Sequence, residues 1–199
     1  MLELIHFDDR WNNWQNLVPS CYVDGVDFQV FERSTWTKND FSHKFGHAGL
    51  RYEIATALGC SKIVHIAGGV PCGLWPDLKL ARHCLVPRMI PGEKACADKG
   101  YRDGHERFLT SFPRAEATPL QRQINSEIHL IGARHESINA RMKNFGCLSA
   151  RFFRHGREFH PVCFTACANL VQLLMKTKPL FELLPALKKK REAQRKHGD

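Results

Sequence analysis

Three apolar, β-branched segments between Cys21 and Val70 constrain this chain more than any other feature. The first, CYVDG followed by VDFQVFER, sets Val26, Phe28, Val30 and Glu32 against Asp27, Gln29 and Phe31, an imperfect period of two that excludes a helix. Gly49–Leu58 and Lys62–Val70 repeat the pattern, separated by Gly59, Cys60 and Ser61, an interval fit for a tight turn. These runs predict a three-stranded antiparallel meander. The period then lengthens. Asp77–Val86 carries Leu78, Ala81 and Leu85 at near-helical spacing behind Pro76, so a helix is expected to start at Asp77. Lys94–Asp98 is a short buried strand ending on an acid, and KGYRDG after it is a loop. Past an aperiodic connection at Pro113–Pro119, Ile124–Phe145 reads as a helix. His160–Lys176 is a last apolar helix with Phe164, Cys167, Ala168, Val171, Leu174 and Met175 on its inward stripe. Strands, helix, strand, then helices make an α/β layer architecture.

At 199 residues the chain is long enough for one packed domain with appendages and too short for a two-domain enzyme. No apolar run approaches the ~18–20 residues that span a bilayer, and Met1–Gln15 lacks a basic-then-apolar leader. The expectation is a soluble intracellular protein with no membrane partner. Eight cysteines without a CxxC pair then read as reduced thiols. Cys60, Cys72, Cys84 and Cys96 recur every twelve residues, but nothing around them repeats and no zinc site is expected. The first twenty residues are polar and Trp-rich and read as an incomplete lead-in.

The formal charge is +9, and its layout matters more than its size. Leu187–Asp199 has six Lys and Arg against two acids, the composition of a solvated basic tail, a nucleic-acid arm or a nuclear-localisation signal. Arg134, Arg141, Lys143, Arg151, Arg154 and Arg157 surround the single acid Glu136 within the body of the chain. A cationic surface around one carboxylate suits a polyanionic partner.

Four acids stand out by position: Asp24 at the start of the first strand, Asp77 at a helix start, Asp98 at the end of the fourth strand and Glu136 on the long helix. Each could be a helix cap or a salt-bridge partner. The alternative is that Asp24, Asp98 and Glu136 converge on Mg²⁺ or Mn²⁺, since hard divalent cations take oxygen ligands and serve phosphodiester displacement.

VDGVDF at 23–28, ADKGY at 97–101 and RHESINARMKNF at 134–145 resemble, in order, the catalytic motifs of DDE-superfamily transposases, most closely the PIF/Harbinger type. FSHKF, GLRYEIA, the Gly-rich stretch leading to Asp77 and FRHGREFHPVCFTACANLVQLL extend the resemblance from Val23 to Phe181. It implies an RNase H-like (retroviral integrase-like) core, a mixed sheet flanked by helices, that binds two divalent ions and cuts or joins DNA. It also implies that Asp24, Asp98 and Glu136 are the catalytic acids and metal ligands, with Asp77 a further metal-binding aspartate. The domain layout expected is a truncated lead-in at 1–20, a DDE endonuclease domain at 21–181 and a basic tail at 182–199. Lys143 lies two turns after Glu136 on the same helix face and is expected on a DNA phosphate. Arg134, Arg141, Arg151 and Arg154 are the other expected DNA contacts. His135, about 100° round the helix from Glu136, is expected to pack rather than ligate, and Tyr101 to support the turn carrying Asp98. Family members carry a DNA-binding segment ahead of the first aspartate. The short lead-in here therefore implies a truncated copy or a separate DNA-binding partner protein; the chain could also form a homodimer. The nucleus is the implied location. The competing function is a catalytically inactive, domesticated DNA-binding or scaffold protein, and a nuclease acting on RNA is a third reading of the same fold.

Overall fold

The computed structural model describes residues 4–32, 37–149, 153 and 155–196. Its strands are β1 (Cys21–Gln29), β2 (Phe41–Ser42), β3 (His47–Ala57), β4 (Ile63–Pro71), β5 (Ala95–Ala97) and β6 (Phe108–Leu109). Its helices are α1 (Asp77–Cys84), α2 (Pro119–Lys143), α3 (Gly146–Ser149), α4 (Phe159–Leu174) and α5 (Leu183–Lys196). The order along the sheet is β2-β3-β1-β5-β6, with β4 pairing β3. β1, β3 and β4 form the expected antiparallel meander, whereas β5 and β6 run parallel to β1, so the sheet is mixed. Asp24 lies inside β1 rather than at its start.

Both faces of this sheet are covered, which explains why the strands are almost continuously apolar. Val26, Phe28 and Val30 of β1 join Leu50, Tyr52 and Ile54 of β3 in a core with Ile138 and Met142 of α2 and Phe164, Cys167 and Val171 of α4. Cys21 and Val23, of opposite parity in β1, face the other way, onto Ala81 and Leu85. Leu174, expected on the inward stripe of α4, is 39% exposed, because Met175 takes the buried position at the end of that helix. The start of α2 is fixed by Thr118, whose hydroxyl accepts from the Gln121 backbone N–H while the Gln121 side chain accepts from Thr118 N–H. Pro119 fills the first helical position.

The two ends of the chain differ from expectation. The lead-in is packed into the domain: Phe7 and Trp14 are buried, and Arg10, 1% exposed, pairs with the buried Glu93 at 2.8 Å. The basic tail is helical from Leu183 to Lys196, and Leu183 and Leu187, one turn apart, dock it against Ile128 and Ile131 of α2. All eight cysteines are free thiols. Among the described residues no helix is long and apolar enough to cross a membrane.

Candidate active site

The parallel register of β1 and β5 pairs Val23 with Ala97, so Asp24 in β1 comes beside Asp98, the residue that follows β5. Asp24 has the parity of Val26 and Phe28 and therefore faces α2. Its Oδ1 accepts from Gly25 N–H at 2.8 Å. Asp98 follows the last residue of β5 and caps a single 3₁₀ turn at Lys99–Tyr101, accepting from Gly100 N–H at 2.8 Å. Tyr101 is fully buried behind that turn, which is the supporting place expected of it.

Glu136 comes to this point from α2. One turn further, Asn139 is 4% exposed, and its Nδ2 lies 3.5 Å from both Asp24 Oδ2 and Glu136 Oε2. Asn139 was not singled out from the sequence, although its place three residues after Glu136 puts both on one helix face. Its Oδ1 is buried with no hydrogen-bond partner among the described residues. Beside the acids a groove of about 580 Å³ runs along α2, lined by Tyr22, Asp98, Lys99, Ser111, His129 and Glu136.

Burial and mutual repulsion dominate the electrostatics at Asp24. Asp24 is pushed up to about 7, first by burial and then by the negative charge of Asp98, with Glu136 adding to it; Lys44 and the Gly25 hydrogen bond oppose the rise. Tyr22 is raised by burial and by Asp24, Asp98, Cys96 and Glu136. Among the described residues none of the three acids forms an ion pair.

Asp77 lies on the opposite side of the sheet. It is the first residue of α1 and is pressed so closely on Gly25 that a Cβ there would come 2.0 Å from its Oδ1. That oxygen is 3.2 Å from Arg51 Nε, and Arg51 also grips Asp27 through Nε at 2.8 Å and Nη2 at 3.0 Å. Ser42 donates to the same Asp27 carboxylate at 2.7 Å. Burial would raise Asp27, yet the Arg51 and Ser42 hydrogen bonds hold it below the usual carboxylate range. Asp77 is raised by burial, against the pull of Arg51 and Lys44. Gly100 links the two faces, since a Cβ on it would sit 3.0 Å from Asp98 Oδ1 and 3.1 Å from Asp77 Oδ2. Asp27 and Arg51 face each other in the β1–β3 register, a pairing that appears only once the register is known.

The basic residues divide. Arg134, one of the expected DNA contacts, is 3% exposed and donates to the carbonyls of Ala57, Cys60 and Phe181, closing the end of β3. Arg141 is half-buried and donates to Lys178 O at 2.8 Å, while Lys143 is exposed at the end of α2. Arg151 and Arg154 lie outside the described residues. His135 is buried against Thr56 Oγ1 at 2.7 Å and driven down to about 3 by burial and then by Arg134, so it faces the sheet and is no ligand in this arrangement. His160 lies in the first turn of the last helix, where it was expected, and is buried against Tyr52.

Among the described residues no three His, Cys, Asp or Glu side chains already converge at metal-binding distances. The chemistry of the donor set nevertheless fits a hard divalent cation. Three carboxylates stand together, Asp24 is pushed up by burial and then by Asp98, and a buried amide oxygen beside them has no partner among the described residues.

A family model described as DDE superfamily endonuclease matches residues 23–172, from the residue before Asp24 to the last turn of α4. Neither a curated protein nor a solved structure matches the chain.

Proposed function

This chain belongs to the DDE superfamily endonucleases, and from that premise we propose that it is a metal-dependent DNA endonuclease and strand-transfer domain of PIF/Harbinger type. The family suggests a transposase-like nuclease, implies DNA as substrate and generally uses divalent metals. An RNase H-like core is the reading of the sheet, whose antiparallel meander is extended by two strands parallel to β1. The catalytic unit spans 21–181, with 1–20 and 182–199 as flanking segments. A nuclear location and a separate DNA-binding partner protein go with this reading.

The observation that carries the proposal is the placement of Asp24 beside Asp98, with Glu136 across from them and, among the described residues, no ion pair to any of the three. Asp24, Asp98 and Glu136 would hold Mg²⁺ or Mn²⁺. Asp77, already shared with Arg51, would join them only from the Asp98 side. Bound there, a divalent cation supplies charge neutralisation at the phosphate and a lowered pKa for attacking water. The chain's own contribution is placement. Gly25 and Gly100 N–H groups fix one oxygen of each aspartate, and Asn139 keeps Asp24 and Glu136 facing each other. Lys143 and Arg141 would contact the DNA backbone beyond Glu136.

The test is DNA nicking in Mg²⁺ and Mn²⁺. Asp98→Asn should lower the rate by about 10³-fold, the several kcal/mol of charge stabilisation that a held cation provides. Wild-type nicking by Asp98→Asn would overturn the proposal. Tight DNA binding without any nicking, indifferent to metal and to the mutation, would point to the scaffold reading.

A further inference from the structure

His129 lines more than the groove beside Glu136. The same ring lines a second cavity of about 440 Å³, together with Arg114, Arg122, Asn125, Ser126 and Lys190. Its three cations come from three segments: the connection before α2, the first turns of α2, and α5. Among the described residues none of the three is in an ion pair. Arg122 is anchored by one Nη1 bond to Ala117 O at 2.6 Å. The nearby acid, Glu127, is neutralised by Arg191, whose Nε and Nη2 both reach it at 2.7 Å. The cavity is therefore cationic and furnished with neutral hydrogen-bonding groups.

Its position follows from helix arithmetic. Arg122, His129, Glu136 and Lys143 recur every seven residues, two turns, and so fall on one slowly drifting stripe of α2. Arg122 lies about 21 Å along the axis from Glu136. The two cavities share His129 as a lining residue, which places the basic cavity next to the groove at the acids. Among the described residues no Phe, Tyr or Trp lines the basic cavity, so it offers mainly charge and hydrogen bonds rather than a base-stacking platform.

We propose that Arg114, Arg122 and Lys190, with Asn125 and Ser126, bind the backbone phosphates of the DNA strand leading away from the acid site, along the N-terminal half of α2. This assigns the basic C-terminal helix a place: Leu183 and Leu187 dock it, and Lys190 completes the cavity. The charge of the tail is thus used close to the site and not as a free arm. The inference rests on the reading of the acid site as a DNA nuclease.

The experiment measures binding of a fluorescently labelled DNA duplex to the full chain in EDTA, where no cleavage occurs, across a series of salt concentrations. Arg114→Ala/Arg122→Ala/Lys190→Ala should bind about 30-fold more weakly, and its log affinity against log salt should be shallower by about two, for loss of two or three phosphate contacts. Arg114→Gln/Arg122→Gln/Lys190→Gln, which keeps side-chain bulk, should behave alike with an unchanged melting temperature. Wild-type affinity and slope in either folded variant would overturn the proposal. Should Asp98→Asn nick DNA normally while the triple variants lose salt-dependent binding, the nuclease assignment fails and the phosphate track stands.

Discussion

The two faces of the sheet treat negative charge in different ways. On the α1 face every buried acid has a cationic or ionisable partner from the chain: Asp27 and Asp77 share Arg51, Glu53 meets His65 at 3.1 Å, and His65 in turn meets Arg88 at 2.9 Å. Glu93, also fully buried, is held by Arg10 and Ser20. On the α2 face the largely buried Asp24 stands beside the exposed Asp98 and Glu136, and an amide, Asn139, donates to Asp24 and Glu136. Removing a charge from water is expensive unless a partner is built in. Among the described residues the buried acids of the α1 face are met by partners from the chain, whereas Asp24 on the α2 face is largely buried beside two solvent-facing carboxylates and has no ion pair, a place suited to a cation from outside.

That contrast can be broken most directly on the compensated side. Arg51→Met leaves Asp27 buried beside an apolar chain with only Ser42 to bond it, and Asp77 without its cation. The expected loss is about 3–5 kcal/mol, read as the shift in the urea midpoint. A loss under about 1 kcal/mol would mean that Asp27 reaches solvent or takes a proton, and that the two faces do not differ as described.

How much of this could be seen in the sequence depends on the range of the interaction. The meander, both long helices and the strand before Asp98 follow from local periodicity, and the three acids from short motifs. β2 and β6, two residues each, are too short to carry a period. Arg134 misleads because a charged residue on a helix reads as solvent-facing. Its carbonyl partners at Ala57, Cys60 and Phe181 are distant in sequence. Asp27 with Arg51 needs the strand register, and the docking of α5 needs Leu183 and Leu187 read as a pair and not as part of a charge run. What was missed is non-local pairing; Asn139 alone carried a local signal, its spacing from Glu136.

Between the two faces' solutions lies a third, in which the buried group stays neutral. His160 is 1% exposed, stacks on Tyr52 and shares a 2.8 Å hydrogen bond with its hydroxyl. Burial pushes its pKa down from 6.5 to about 4. The unfolded chain binds the proton first, so this residue's contribution is fully present above pH 6.5 and is lost as pH falls from 6.5 to 4. The loss is about 3 kcal/mol for the depression involved. His160→Gln, which keeps a polar partner for Tyr52, should remove that part of the slope in chemical denaturation measured from pH 7 to pH 4. An unchanged slope would place the acid sensitivity in the carboxylates of the other face.

The smallest expected effect is the most discriminating, because its sign is opposite to that of Arg51→Met. Asp24 carries a charge that burial, Asp98 and Glu136 all disfavour. Asp24→Asn keeps the oxygen that accepts from Gly25 N–H and turns an amide toward Glu136 in place of a repelling carboxylate. In EDTA at pH 8 the variant should be more stable than the wild type by about 1 kcal/mol, about 2–4 °C in melting temperature for a chain of this size. Adding Mg²⁺ or Mn²⁺ should raise the wild-type melting temperature and leave the variant nearly where it was, since only the wild type has the full set of carboxylates. Were Asp24→Asn to destabilise the metal-free protein, the cluster would already be satisfied by the fold and the case for an external cation would be lost. A variant that is more stable but still gains from the metal would instead move the cation toward Asp98 and Asp77, across the Gly100 turn that joins the two faces.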